Sequence, residues 1–376
     1  MIFSINRNVL LDNLLVIQRG LPNKTPLPIL NAIKFVVNED HLILTASNSD
    51  LAIELTIEDK SLRVKQTGKA AIPGRFLIEI IRKLEATMIE FAVVEEKSVV
   101  IKAERSDFKL NLPDVLDYPE VDFLDLKQPL VLDSEIIKTI IKETNYAAAN
   151  TEKRPILTGV NFLHENNQLY ITATDSYRLS KKEIKLRDNL DPFNFVIPRK
   201  SLEELSKILD LVSDNVEIYV NPNKVLFKFP NIMFQTRLLE GKYPDTSRIV
   251  PTNFPVIIPF NKEELLAAVE RVSLLSPRDR DTNYNIIKLT LRSDHVVEIS
   301  STNPEVGDAL EEITPNGRVV GSSLQIAFSS RYLIEALKSF ASSDITISFA
   351  GEVRPFVLNG PLDIDLLHLI LPVRID

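Results

Sequence analysis

One pattern recurs along this chain at a fixed spacing, and a repeat constrains a fold more than any single residue does. The segments LPILNAIKF from Leu27, RPILTGVNF from Arg154 and TNYNIIKLT from Thr282 align on Ile33, Val160 and Ile287, at equal steps of 127 residues. Each reads as a strand pair. Around them lie two kinds of strand-then-helix segment in fixed order, one at 2–11, 130–137 and 256–266, the other at 72–77, 197–202 and 327–333. Hairpins follow the second kind, with turns at Glu95 to Lys97, Asn221 to Asn223 and Ala350 to Glu352. The spacing predicts three domains, 1–125, 126–253 and 254–376. Strand, helix and strands run once from Ile2 and again from Ala70, so each domain is doubled and the chain holds six copies of one β-α-β-β-β unit.

The local patterns agree with this unit. Ile136, Ile137, Ile140 and Ile141 share a helical face, and Lys138 and Lys142 lie on another. Ser201 with Glu204, and Asn261 with Glu264, have capping-box spacing, which places helix starts there and strands before them. Residues 169–174, Leu-Tyr-Ile-Thr-Ala-Thr, alternate as a half-buried strand does. The expected class is α+β, antiparallel sheets with helices on one side.

The 376 residues, 44% of them hydrophobic, supply apolar material for three ordinary domains. There is no cysteine, so disulfides and thiolate chemistry are excluded. Asn6, Arg7, Asp12 and Asn13 break the N-terminal apolar stretch, and no run approaches the roughly 20 apolar residues of a membrane span. A cytoplasmic protein is expected. His41, His164, His295 and His368 are scattered without zinc-site spacing, and the ten glycines form no phosphate-binding loop. No serine sits in a nucleophile elbow, and no pair of carboxylates stands out as an acid/base couple. No metal, cofactor or catalytic residue is expected.

The net charge of −8 does not exclude nucleic acid, because phosphate responds to local charge. Basic residues recur on or beside equivalent helices: Arg75, Arg82 and Lys83; Lys138 and Lys142; Arg199, Lys200 and Lys207; Lys262 and Arg271; Arg331 and Lys338.

The repeat order, LPIL from Leu27, RPILTGV from Arg154, ATDSYRLS from Ala173, EGKYPDTSRIVP from Glu240 and LPVR from Leu371 together resemble the bacterial DNA polymerase III β subunit family, the sliding clamps. The likeness spans the whole chain. It implies a DNA clamp fold of three topologically equivalent domains, two copies joining head to tail as a homodimeric ring with helices inside and sheets outside. Twelve helices at about 10 Å spacing give a circumference of about 120 Å. Less about 10 Å of helix bulk, the hole is on the order of 28 Å across, and it admits a B-form duplex about 20 Å wide. Such a ring holds double-stranded DNA topologically and tethers the polymerase.

By resemblance, Lys24, Arg75, Arg82, Lys138, Lys142, Arg199 and Lys200 face DNA, with Thr151 a weaker counterpart of Lys24. Phe108 and Leu110 meet Leu274 and Leu275 across the subunit contact. A groove takes short linear peptides from the polymerase III catalytic subunit, the clamp loader, other polymerases and repair proteins. Its residues are Arg154, Leu157, Thr174, Ser176, Tyr177, Arg178 and Leu179; Pro244, Arg248 and Ile249; and Leu369, Leu371, Pro372, Val373 and Arg374. Aliphatic walls would take leucine and aromatic anchors, and arginines at the rim would hold polar or acidic groups. The chain departs from the pattern at Tyr177, at residues 283–285 and in the Ile375-Asp376 end. An enzyme hidden in the groove and a protein-scaffold ring without DNA remain as alternatives.

Overall fold

The computed structural model describes residues 1–123, 128–151, 153–186, 190–212, 214–277 and 285–374. The expected boundary at 125, Thr282 to Tyr284 of the third repeat, and Ile375 and Asp376 lie outside these.

One motif appears six times. The first copy is β1 (Ile2–Asn6), α1 (Arg7–Ile17), β2 (Ala32–Val37), β3 (Leu42–Ser47) and β4 (Leu51–Ile57), followed by an extra short strand, β5 (Arg63–Gln66). The second is β6 (Gly68–Pro73), α2 (Gly74–Lys83), β7 (Met88–Val94), β8 (Ser98–Ala103) and β9 (Ser106–Asn111). The third is β10 (Leu130–Asp133), α3 (Ser134–Thr144), β11 (Gly159–Glu165), β12 (Gln168–Thr174) and β13 (Arg178–Lys185). The fourth is β14 (Phe193–Pro198), α4 (Arg199–Leu209), β15 (Asn215–Val220), β16 (Lys224–Lys228) and β17 (Ile232–Arg237). The fifth is β18 (Val256–Asn261), α5 (Lys262–Ser273), β19 (Ile286–Leu291), β20 (Val297–Asn303) and β21 (Gly307–Ile313). The sixth is β22 (Leu324–Ser329), α6 (Ser330–Ser339), β23 (Asp344–Phe349), β24 (Phe356–Asn359) and β25 (Leu366–Ile370).

The chain forms two compact units, one from Met1–Ile137 and Ser201–Leu238, the other from Lys138–Lys200 and Leu239 onward. In the first, sheets run β5-β1-β7-β8-β9 and β10-β15-β16-β17-β4-β3-β2-β6. In the second they run β14-β11-β12-β13-β25-β24-β23-β18 and β21-β20-β19-β22. Neighbouring copies exchange first strands: β1 pairs with β7, and β6 with β2.

Each eight-stranded sheet joins the last strands of two copies. β4 pairs with β17, with Ala52 opposite Gln235, and β13 pairs with β25, with Leu179 opposite Leu369. The equivalent last strands β9 and β21 end their sheets, with no strand on their outer side among the described residues. The Leu112 N–H donates to Lys97 O (2.9 Å), and this sets the alternation along the β8–β9 register. Ser106, Phe108 and Leu110 therefore bond inward to β8. Asp107, Lys109 and Asn111 turn their N–H and C=O groups to the open edge.

The cores follow the patterning. On α2, Leu77, Ile78 and Ile81 are buried while Arg75, Glu79 and Arg82 are exposed. Phe3 stacks on Phe91 with centroids 4.8 Å apart. Each such apolar side chain, once buried, contributes roughly 1.5–3 kcal/mol.

Three local expectations change. LPIL and RPIL are not strands: Pro28–Asn31 and Pro155–Thr158 are single 3-10 turns, started by a proline whose fixed φ suits the first position. Ser201 does not cap α4, which begins at Arg199; its hydroxyl lies inside the helix and shares a 2.7 Å hydrogen bond with Thr236 Oγ1. Ile136 is 40% exposed, unlike Ile137, Ile140 and Ile141. Asn261 does cap α5, accepting from the N–H groups of Glu263 and Glu264.

Candidate functional site

The β13–β25 seam brings together side chains from opposite ends of one unit. Leu179 and Leu369 are 3% and 1% exposed and pack with Val357, while Val250, Phe254, Leu367 and Leu371 cover them partially. Leu157 is buried in a neighbouring cluster against Tyr243 and Val196. The Thr174 N–H donates to the Tyr243 hydroxyl (3.0 Å), and burial raises that phenol's pKa. The Thr174 hydroxyl donates to Arg178 O (2.5 Å), and the Leu371 N–H to Tyr177 O (2.9 Å). Ser176 takes φ 80°, turning the chain sharply enough to leave Tyr177 48% exposed. Ile249 is 45% exposed, and Pro244 is exposed. Pro372 and Val373 are half-buried, with the Val373 N–H held by Ala327 O (2.7 Å). The result is an aliphatic floor with an exposed aromatic and Ile249 beside it.

Arg154, Arg248 and Arg374 are exposed and have no ion pair among the described residues. Arg178 departs from the expected rim position. Its side chain is only 3% exposed, and its donors are committed to Asp175 (3.0 Å), Glu335 and Tyr146 O (2.6 Å). The guanidinium also lies over the rings of Tyr332 (4.4 Å) and Tyr146 (5.1 Å). Burial alone would lower its pKa, but the carboxylates of Asp175 and Glu335 outweigh that and raise it. The same pairing lowers the Glu335 pKa against the pull of burial. Arg178 thus ties the start of β13 to α6, and all three of its guanidinium nitrogens already donate within the protein.

His368, on β25 beneath the seam, is fully buried between the Tyr146 hydroxyl (2.8 Å) and Ser339 Oγ (2.7 Å). Burial pushes its pKa down to about 3. Tyr146, Tyr332, Glu335 and His368 carry no local motif that marks them, and only pairing of distant strands assembles them. Tyr243 could have been found, since it lies within the Glu240 motif.

The basic residues divide into two groups. Lys24, Arg82, Lys142 and Lys200 are exposed, and Lys138 is half-buried. Arg82 pairs with Glu79. Arg75 donates to Pro22 O (2.7 Å), and Arg199 to Asn150 Oδ1 (2.6 Å) and Ala148 O (3.3 Å), so both brace the loops that carry Lys24 and Thr151. Phe108 (37% exposed) and Leu110 lie on the open strand β9; Leu274 (82% exposed) and Leu275 follow α5. Sequence reasoning missed Leu310, 64% exposed on the other open strand, β21. Among the described residues, no three His, Cys, Asp or Glu side chains are grouped to hold a metal.

Three family descriptions match in order: the N-terminal domain of the DNA polymerase III beta subunit at 1–122, its central domain at 131–245 and its C-terminal domain at 247–374. The chain belongs to the DNA polymerase III β subunit family. The beta sliding clamps of Staphylococcus epidermidis and Staphylococcus aureus are each 37% identical over 99% of both chains. The DNA polymerase III beta chain of Streptococcus pneumoniae superposes with a TM-score of 0.94 at 38% identity, and the sliding clamp of Bacillus subtilis with 0.94 at 36%, each covering 100% of both chains. The six-copy α+β architecture is therefore the clamp fold. The chain is a sliding clamp, a non-catalytic processivity subunit in DNA replication. Among the described residues no helix is long and apolar enough to cross a membrane.

Proposed function

We propose that two copies close head to tail into a ring around duplex DNA in the cytoplasm, and that the seam groove holds linear peptides of the polymerase, the clamp loader and repair proteins. The organisation is three clamp domains, 1–125, 126–253 and 254–376. The observation that carries the ring is the pair of open strands. β4 joins β17 and β13 joins β25, always last strand to last strand, and β9 and β21 are the same strands with their outer edges open among the described residues. Pairing β9 of one copy with β21 of another hides both edges, and repeating the contact closes the assembly. Phe108, Leu110, Leu274 and Leu275 supply apolar area to it.

In the groove, Leu157, Leu179, Leu369 and Leu371 form the apolar floor, with Thr174 and Ser176 shaping its end. Tyr177, Ile249, Pro244, Pro372 and Val373 wall it, and Arg154, Arg248 and Arg374 meet polar or acidic groups of the peptide. Arg178 acts as a positioning residue. Lys24, Lys138, Lys142 and Lys200 supply phosphate contacts that steer without sequence preference; Arg75, Arg82 and Arg199 act beside them, two of them by bracing loops.

The test is retention on circular against linearised DNA after loading by a bacterial clamp loader. Persistence on circles with run-off from ends is expected, and reversing Lys142 and Lys200 to Glu should shorten it while the dimer stays intact. Equal loss from both DNAs overturns the ring. For the groove, deleting 371–374 should abolish polymerase stimulation; survival of stimulation refutes the peptide site.

A further inference from the structure

The first unit contains a second cleft, of about 350 Å³, built to the plan of the peptide groove. Leu30, Ser49 and Ala52 stand 127 residues before Leu157, Ser176 and Leu179. Leu30 is buried in a proline-started 3-10 turn as Leu157 is, and Ser49 takes φ 78° where Ser176 takes 80°. Tyr118 precedes Pro119 as Tyr243 precedes Pro244, and its buried hydroxyl donates to Thr45 O (3.3 Å). The ladder is equivalent too: Ala52 faces Gln235 where Leu179 faces Leu369.

The floor chemistry differs. Gln235 replaces Leu369, Arg237 replaces Leu371, and Ala52 in place of Leu179 leaves room above them. Among the described residues Gln235 Oε1 is buried without a hydrogen-bond partner, which costs free energy unless a donor reaches it. The exposed Arg237 has no ion pair among the described residues. Asp50 and Glu120 also line the cleft, and the Asp50 carbonyl accepts from the Arg237 N–H (2.8 Å). The volume lies within the range of ligand clefts.

We infer that this cleft is a second linear-peptide site, for a polar segment of a partner protein whose acidic side chain pairs with Arg237 and whose adjoining amide donates to Gln235 Oε1. A basic residue next to the acidic one meets Asp50 and Glu120. The choice of a peptide as occupant rests on the groove reading above; the polar specificity rests on Gln235 and Arg237 themselves. The clamp then carries two peptide sites of opposite taste, one aliphatic and one charged, so two partners dock on one subunit without competing.

The experiment uses the full-length protein and two fluorescein-labelled probes: acetyl-Lys-Gln-Glu-Gln-amide and acetyl-Leu-Ser-Leu-Phe-amide, read by anisotropy. The polar probe should bind with a dissociation constant on the order of 0.1–1 mM. Arg237→Glu should weaken it about tenfold or more, and Gln235→Leu about threefold, as loss of a charge-assisted and of a neutral hydrogen bond predicts. Deleting 371–374 should leave it unchanged. No saturable binding, equal binding of a probe with Gln in place of Glu, or loss only on deletion of 371–374 overturns the inference. The apolar probe should respond in the opposite way. If it fails to bind while the polar probe still depends on Arg237, the groove reading falls and the second site stands.

Discussion

Proline at one position of the open strand β9 separates folding from assembly. Lys109 turns its N–H to the open edge, so Lys109→Pro removes no bond of the isolated subunit. In the proposed pairing of β9 with β21 of another copy, the same N–H is a ladder donor, and the pyrrolidine ring also pushes the neighbouring strand away. One bond is worth about 1 kcal/mol net and a displaced neighbour about as much again, so each contact loses about 2 kcal/mol. A closed dimer has two such contacts and loses about 4 kcal/mol, a weakening of about a thousandfold. Phe108→Pro, one residue away, removes an inward bond to Ile101 and should instead lower the melting temperature. Sedimentation equilibrium across nanomolar to micromolar concentration reads the first effect, and thermal unfolding monitored by circular dichroism reads the second. A Lys109→Pro protein that stays dimeric to the same dilution as wild type refutes the edge-pairing argument.

Other outcomes follow from buried groups. His368, with its pKa pushed down to about 3, stays neutral in the fold while the unfolded chain takes up a proton near pH 6.5. Its contribution is therefore complete above pH 6.5 and is lost as pH falls toward 3, up to about 5 kcal/mol; His368→Gln should flatten the melting temperature over that window. Arg178→Ala leaves Asp175 and Glu335 without their shared cation and should cost about 3 kcal/mol, measured by urea unfolding. Leu369→Ala, emptying a site 1% exposed, should cost about 2–5 kcal/mol and also weaken the apolar peptide probe.

The sixfold motif was legible because hydrophobic period and turn chemistry are local, and the step of 127 residues is a property of the string alone. The Asn261 cap was legible for the same reason: it acts within three residues. Ser201 misled because its partner, Thr236, comes from another strand. Arg178 misled more. Its motif suggested a residue facing ligand, yet Glu335 and Tyr332 reach it from α6, more than 150 positions away, and no local pattern announces that closure. The short strand β5 was missed because Arg63, Val64, Lys65 and Gln66 have an edge strand's polarity and no alternation.

The β13–β25 seam joins Arg178 to Ile370, and the N–H of Leu371 completes it. A ribosome emits these partners far apart in time, so the nascent chain carries β13 as a raw edge until β25 emerges. The wall of the proposed groove therefore forms only after β25 has been made. A chain broken off before residue 366 would lack the strand that covers the edge of β13, and with it the proposed peptide groove. On the proposed reading of the groove, competence to recruit partners waits on β25, a dependence written into strand order.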